Sequence, residues 1–465
     1  WVKKMFLNLL FSVAFVAACT AQDKTTVVIL GGGMSGVMAA KTLNDAGITD
    51  FIIVESQAEL GGRMKRFDWI EGNATLELGA GWVHGTTGNP IWDFIKKFNI
   101  SGSITDYEDY TARDANGQDV TAQLDAAYER LETAQNIENL LETYKSKNNG
   151  SDINKRVALR LGGWDARTTF EHAAEYFDYD FEYGVPSEHT SLIHGALSRN
   201  DKFSPDDYRI VDPRGYRFIV QATADEFLNP GAPQLRINER VIGINTSNKN
   251  GVQVTLESGA TIHAEYAINT FSLGLLQSGN IIFKPSLTYK KLEAINSFKM
   301  SLYTKIFLKF PSQFWDETEF IVHTSKRKGY YTIWENLNHK KVLSGSNIIY
   351  ATLTGTESQR VEMLSDNEIK SEAMVVLRSM YGDKIPDPTA ILVSRWAYNS
   401  ATLGSYSNWP IGFDEDNHAK LKEPVGHLFF GGEHTNGPHC GEVTGAYYAG
   451  VDVANEVIQC IASKC

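Results

Sequence analysis

The sequence predicts an α/β protein in which a dinucleotide-binding domain, assembled from separated chain segments, is interrupted by a second domain. Three observations predict it. Val27 to Leu30, the run Gly31-Gly32-Gly33-Met34-Ser35-Gly36, and Phe51 to Glu55 read as strand, glycine turn with helix, and strand. Near the other end, Leu428-Phe429-Phe430 stops at Gly431-Gly432-Glu433, and a helix rich in small residues begins near Val443. Between them lie short β segments and amphipathic helices. Two phosphate-friendly termini suggest one long cofactor held by both ends of the chain, which favours FAD over a cofactor that exchanges.

The elements follow in order. Lys3 and Lys4 precede an apolar run from Phe6 to Ala18, too short to span a bilayer comfortably. With Ala21 as the last residue before cleavage, residues 1–21 read as a signal peptide and the protein as secreted. Met5 is an alternative start to Trp1, and Val16-Ala17-Ala18-Cys19 is a rival lipid-attachment box. The helix after the glycine turn carries Met38, Ala39, Thr42, Leu43 and Ala46 and ends at Gly47. Residues 90–147 look mostly helical, with a charged amphipathic run from Asp125 to Lys147, and Asn148 to Ser151 reads as a loop. Between Gln234 and Ile268 short strands dominate, with Asn248-Lys249-Asn250-Gly251 as a hairpin turn. Residues 301–310 and 347–353 read as strands and 366–380 as an amphipathic helix.

Composition narrows the partners. The 465 residues carry a formal net charge of −12, which disfavours nucleic acid, because phosphate binding needs a basic surface. It suits a cationic substrate drawn to an acidic cleft; simple solubility is the other reading. No later stretch is apolar enough to cross a membrane. Of the 4 cysteines, Cys460 and Cys465 are close enough to pair in an oxidising compartment or to stand as free thiols, and with Cys19 and Cys440 they form no zinc spacing. Asn73, Asn99, Asn149 and Asn245 open glycosylation sequons, at about the frequency chance supplies.

The glycine motif has its required context. Gly31 permits the tight turn, Gly33 lets a phosphate approach the backbone at a helix N-terminus, and Gly36 lets helix and strand pack. Glu55 ends the second strand, placed for ribose hydroxyls and against a 2′-phosphate. Glu59-Leu60-Gly61-Gly62-Arg63-Met64 follows. Arg63 has two readings, a forked donor to pyrophosphate or a surface ion pair. Glu433 is a second candidate for cofactor hydroxyls. The helix near Val443 carries Gly445, Ala446, Ala449 and Gly450, and its positive end suits negative charge on a reduced flavin ring.

Taken together, GGGMSG…VES, ELGGRM, ELGAGWVHG, RVIGI, FSLGLLQSG, SLYTKIFLKF, YSNWPIG and FFGGEHT…GEVTGAYYAG resemble the flavin-containing amine oxidase superfamily. Within it the chain looks most like secreted plant-type polyamine oxidases. The resemblance implies a two-domain fold like that of p-hydroxybenzoate hydroxylase, with a substrate domain of mixed sheet and helices. FAD segments are expected at 25–89, 211–290 and 393–465, and substrate-domain segments at 90–210 and 291–392. It implies oxidation of a polyamine C–N bond by hydride transfer to FAD, imine hydrolysis, and reduction of O2 to hydrogen peroxide. FAD is expected to be non-covalent and the protein monomeric. The cofactor set is then Gly31, Gly33, Ser35, Gly36, Glu55, Gly62, Arg63, Gly81, Trp82, Val241, Trp396, Glu433, Val443 and Thr444.

For the chemistry, Lys305 matches the family lysine that holds a water near flavin N5. Alternation on the strand from Lys299 to Phe310 puts Lys299, Tyr303, Lys305 and Lys309 on one face, so a solvated basic face is the competing reading. Tyr406 matches one wall of an aromatic cage for the substrate amine. Glu442 stands where many relatives have the second aromatic wall; it suits either an ammonium or a helix N-terminus. His84 stands where plant-type enzymes carry Glu, and it binds an ammonium only weakly or serves as a turn histidine. Tyr303 completes the expected substrate set. Tyr176 to Tyr183 interleaves aromatics with carboxylates, either lining a tunnel or half-buried with its acids in water. The tunnel glutamate of plant-type enzymes aligns with Val185. No nucleophile or metal set is evident. The alternatives are a monoamine or L-amino-acid oxidase, for which Arg395 and Arg214 are the candidate carboxylate binders, and a catalytically silent flavoprotein binding module. A histone-demethylating relative lacks support, since no long helical insertion is evident.

Overall fold

The computed structural model describes residues 22–70, 73–148, 150–195 and 203–463. The expected signal segment, Asn149 and Cys465 lie outside them. Strand Gln22–Leu30 pairs in parallel with Phe51–Val54 on one side and Thr261–Asn269 on the other. Val27, Val28, Ile29 and Leu30 have no solvent exposure, because both faces of this sheet are covered. Val27 and Ile29 meet helix Met34–Asp45 and the C-terminal helix Val443–Ser463. Val28 and Leu30 meet the antiparallel strands Val241–Asn245 and Val252–Leu256.

Thr261–Asn269 is the pivot of this sheet. Its first half pairs antiparallel with Val252–Leu256, and its second half pairs parallel with Leu428–Phe430. The last short strand of the chain thereby ends level with the first glycine turn, and Gly431 and Gly432 arrive beside it. The two flanking helices cross where a Cβ on Gly450 would stand 2.3 Å from the carbonyl of Ser35, so only glycine permits that approach.

The second sheet has six strands in the order Ala390–Val393, Tyr303–Lys309, Ile348–Thr354, Ile333–Asn336, Phe320–Thr324 and Tyr110–Asp114. It is antiparallel except for the final, parallel pair. One face packs on Thr121–Lys147 and Thr169–Glu175, and the other on Asp366–Tyr381. A three-stranded sheet of Trp82–His84, Asp207–Ile210 and Gly102–Ile104 is the third element bordering the site.

Residues 90–147 are mostly helical, as expected, with strands Gly102–Ile104 and Tyr110–Asp114 between helices Pro90–Lys97 and Thr121–Lys147. One local expectation needs correction: the stretch from Lys299 is not one strand. Lys299–Met300 pairs with Ser407–Asn408, and Tyr303–Lys309 joins the six-stranded sheet. The break falls at Ser301, whose N–H donates to the Tyr406 carbonyl.

Candidate active site

One cavity of about 500 Å³ runs from the first glycine turn to the edge of the second sheet. It is lined by Gly31, Gly33, Ser35, Glu55, Gly62, Arg63, Gly81, Trp82, His84, Val241, Tyr303, Lys305, Trp396, Tyr406, Glu433, Glu442 and Val443. Of the expected site residues only Gly36 and Thr444 stand outside this wall. Gly36 lies behind the turn, where a Cβ would come within 1.9 Å of the Gly31 carbonyl. Thr444 is buried and donates to Asn89 Oδ1 at 3.2 Å.

The dinucleotide end is preorganised. Glu55 Oε2 accepts from Gly32 N at 2.8 Å and Oε1 from Gln57 N at 2.8 Å, which holds the carboxylate at the turn. Gly33 and Gly62 face each other as bare backbone: a Cβ on Gly62 would stand 3.4 Å from Gly33 Cα, and one on Gly33 would meet nothing nearer than 3.9 Å. That open side, at the N-terminus of a 12-residue helix, fits a pyrophosphate.

Arg63 and Glu433 meet across the chain. Arg63 Nη1 donates to Glu433 Oε1 at 2.7 Å and to the Ser405 carbonyl at 3.1 Å. Glu433 Oε2 accepts from Gly441 N at 2.8 Å and from the Ser407 hydroxyl. Burial pushes this carboxyl up, but Arg63, His434 and the Ser407 hydroxyl together outweigh it and hold the group below the usual carboxylate range. Arg63 is therefore an internal ion pair in the cofactor wall rather than a surface one. Ser35 Oγ completes the junction by accepting from Gly432 N at 3.1 Å.

Lys305 occupies the far end of this cavity. Its Nζ donates to the carbonyls of Glu77 and Gly79, at 3.1 and 2.8 Å, and lies 5.1 Å from the centre of the Trp82 ring. Burial lowers its pKa to about 8. Lys305 is thus not part of a solvated basic strand face. Trp396 Nε1 donates to the Leu78 carbonyl at 2.8 Å, and Trp82 Nε1 to Thr105 Oγ1 at 2.9 Å, fixing two indoles in the wall.

The opposite wall is aromatic and acidic. Tyr303 and Tyr406 have ring centres 6.2 Å apart, and Tyr406 donates to the Glu182 carbonyl at 2.8 Å. His84 Nδ1 lies 2.8 Å from Asp207 Oδ1, and the same carboxylate accepts from Tyr107 at 2.9 Å. Burial alone lowers the imidazole pKa, but Asp207, Glu442 and Glu182 raise it to about 10. His84 is consequently a cation at neutral pH, paired with an anion.

Sequence reasoning missed Asp207. Val185, aligned with the tunnel glutamate, is buried away from the cavity, whereas Phe181, Glu182 and Tyr183, the end of the aromatic and acidic stretch, line it. The rest of the Tyr176 to Tyr183 stretch is structural: Tyr176, Phe177 and Tyr179 are buried, and Asp180 pairs with Lys328 at 3.0 Å. Glu442 sits directly before helix Val443–Ser463, with Oε2 3.7 Å from His439 Nδ1, and it also lines the cavity. Neither candidate carboxylate binder reaches the site. Arg395 is bound to the carbonyls of Glu362 and Leu364, and Arg214 to Asp212 and the carbonyls of Phe98 and Asn99. Outside the cavity, Asp109, Glu319 and His339 bring potential ligand atoms within 4.8 Å, but Arg209 Nε already lies 3.9 Å from Glu319 Oε1.

Comparison with known proteins places this geometry. A family model described as flavin containing amine oxidoreductase matches residues 34–458. The chain is 36% identical over 481 residues to polyamine oxidase 1 of Zea mays, covering 98% of this chain and 95% of the relative. It is 35% identical over 486 residues to polyamine oxidase 6 of Oryza sativa subsp. japonica, covering 99% and 96%. A solved structure from a redesign of cofactor binding in putrescine oxidase superposes with a TM-score of 0.72 at 18% identity, over 94% of this chain and 100% of that one. It shares the fold.

Proposed function

The chain belongs to the flavin-containing amine oxidoreductase family and is an FAD-dependent amine oxidase, and from that premise we propose that its substrates are polyamines of the spermine and spermidine class. FAD when bound accepts a hydride from the carbon beside an amine nitrogen. The chain's own residues then bind, orient and manage protons. Gly33, Gly62, Glu55 and the Arg63–Glu433 pair hold the dinucleotide. Tyr303 and Tyr406 shape a slot whose aromatic faces attract an amine.

The observation that carries the proposal is the acidic wall opposite Lys305. Asp207 and His84 neutralise each other, so attraction of a polycation falls to Glu182 and Glu442. Two carboxylates on one side of a slot suit a substrate with more than one ammonium, and among the described residues no arginine on that wall offers a partner to an amino-acid carboxylate. Lys305, whose pKa burial lowers to about 8, is positioned to orient a water and to pass a proton during reduction of O2 to hydrogen peroxide. The amine is released as the imine hydrolyses.

The sequence of residues 1–21 supports a secreted enzyme. The absence of a cysteine in an attachment context in the sequence supports non-covalent FAD. Among the described residues no helix is long and apolar enough to cross a membrane.

Mixing the anaerobic holoenzyme with spermidine tests the reading. Loss of the visible flavin absorbance, followed by an aminoaldehyde and hydrogen peroxide on admitting air, is expected. Mass analysis then separates 1,3-diaminopropane from putrescine as the released amine. Bleaching by a simple monoamine or by an L-amino acid, but by no polyamine, would overturn it.

A further inference from the structure

Beside Lys305 lies a second cavity of about 40 Å³. The two cavities share Gly81, Trp82 and Lys305, so this lysine stands between them. The smaller one is lined by Glu77, Arg209 and Tyr350, with apolar closure from Phe307, Leu337 and Val342. It is larger than the ~10–15 Å³ a water needs, and its polar groups supply partners. Two of those groups have buried atoms with no hydrogen-bond partner among the described residues. They are Glu77 Oε2, and Nε and Nη1 of Arg209. The other Glu77 oxygen accepts from Tyr216 N at 2.6 Å, which fixes the carboxyl, and the Glu77 carbonyl accepts from Lys305 Nζ.

We propose that Glu77 is a positioning residue and proton store for Lys305, connected to it through water in the smaller cavity. The proposal rests on the oxidase reading above. Reduction of O2 to hydrogen peroxide consumes two electrons and two protons. The electrons and one proton come from the cofactor; the second proton leaves Lys305 Nζ. The Glu77 O–H proton crosses the water to Lys305 and leaves a carboxylate. That carboxylate recovers its proton from the next substrate ammonium, which must lose one before its carbon can release a hydride. The cycle closes without net proton uptake.

The electrostatics are consistent with storage near neutral pH. Burial raises the Glu77 carboxyl to about 7, against the hydrogen bond from Tyr216 N and the charges of Lys305, Arg66 and Arg217, which pull it down. Lys305 in turn is held up by Glu335 and Glu77 and pushed down by burial and Arg209. Glu335 is itself bound by Arg209, Tyr350 and Thr352.

Glu77→Gln, which keeps the shape and the hydrogen bond from Tyr216, is the test. Infrared difference spectra of the FAD-free protein between pH 6 and pH 8 should show a protonated-carboxyl stretch that disappears in E77Q. In stopped-flow with the holoenzyme, anaerobic bleaching by spermidine should also slow near neutral pH, because the substrate ammonium loses its proton acceptor. Reoxidation by O2 should slow roughly tenfold, less than the ~10²–10⁴ of a direct general acid. Its pH dependence near 7 should vanish, and the remaining step, from Lys305, should move below 8. Glu77→Asp should restore part of the rate. An unchanged carboxyl band or an unchanged reoxidation profile overturns the proton store. Failure of spermidine to bleach the wild-type flavin would instead sink the oxidase reading. A variant that loses its yellow colour is replaced by E77D, whose carboxyl band and profile decide the matter.

Discussion

His84 and Asp207 sit directly opposite one another on antiparallel strands, and their side chains close to 2.8 Å on the wall of the main cavity. The cross-strand register thus places a compensated charge pair where a lone carboxylate would have drawn a substrate ammonium. A raised imidazole pKa contributes stability that is complete below the unfolded value of 6.5 and is lost as pH rises through about 10. Asp207→Asn should therefore destabilise the FAD-free protein at pH 8, with the gap to wild type closing as pH passes 10. Paired thermal melts across pH 6 to 11 read this out; a constant gap would refute it.

Arg63→Ala should be the most damaging cofactor-wall substitution. It leaves Glu433, 3% exposed, without its cation. Breaking a buried pair from one side costs about 3–5 kcal/mol. Denaturant unfolding of the FAD-free variant should show a loss of that order, and the purified protein should be colourless. Retained stability would mean that other groups compensate Glu433.

Two glycine variants separate folding from cofactor binding. Gly33 has φ −77°, ordinary for any residue, and a Cβ there meets no protein atom within 3.9 Å. Gly33→Ala should melt like the wild-type apoprotein while FAD binds at least roughly tenfold more weakly, about 1.4 kcal/mol. Gly36→Ala would drive a Cβ to 1.9 Å from the Gly31 carbonyl and should fail to accumulate as folded protein. Equal behaviour of the two in melting and in flavin titration would contradict the division of labour.

Lys305→Met should keep FAD bound, because the lysine lies beyond the dinucleotide cradle. Reoxidation by O2 should slow by roughly 10²-fold or more, as for loss of a positioned proton-transfer group. Stopped-flow absorbance separates this from substrate reduction. Wild-type reoxidation rates would remove the role assigned to the amine.

Local chemistry was legible in the sequence and long-range pairing was not. Strand, turn, helix and Glu55 lie within about thirty residues, and their periodicity and glycines carry the information together. Arg63 read equally well as a pyrophosphate donor or a surface ion, because its partner Glu433 lies 370 positions away. Alternation placed Lys305 and Lys309 on one face correctly, yet only the glycine-rich loop packed over Lys305 distinguishes the buried amine from its neighbour. Asp207 carried no motif, and its role exists only through strand register. The Tyr176 to Tyr183 stretch read as tunnel lining or as half-buried structure, and only the fold shows that its last three residues border the cavity while Tyr176, Phe177 and Tyr179 pack inside.

The junction of Ser35 with Gly432 and of Arg63 with Glu433 joins segments almost four hundred residues apart along the chain. Neither segment alone forms the clasp, so a chain cut short before Gly432 should purify colourless, as apoprotein rather than as a weakened oxidase.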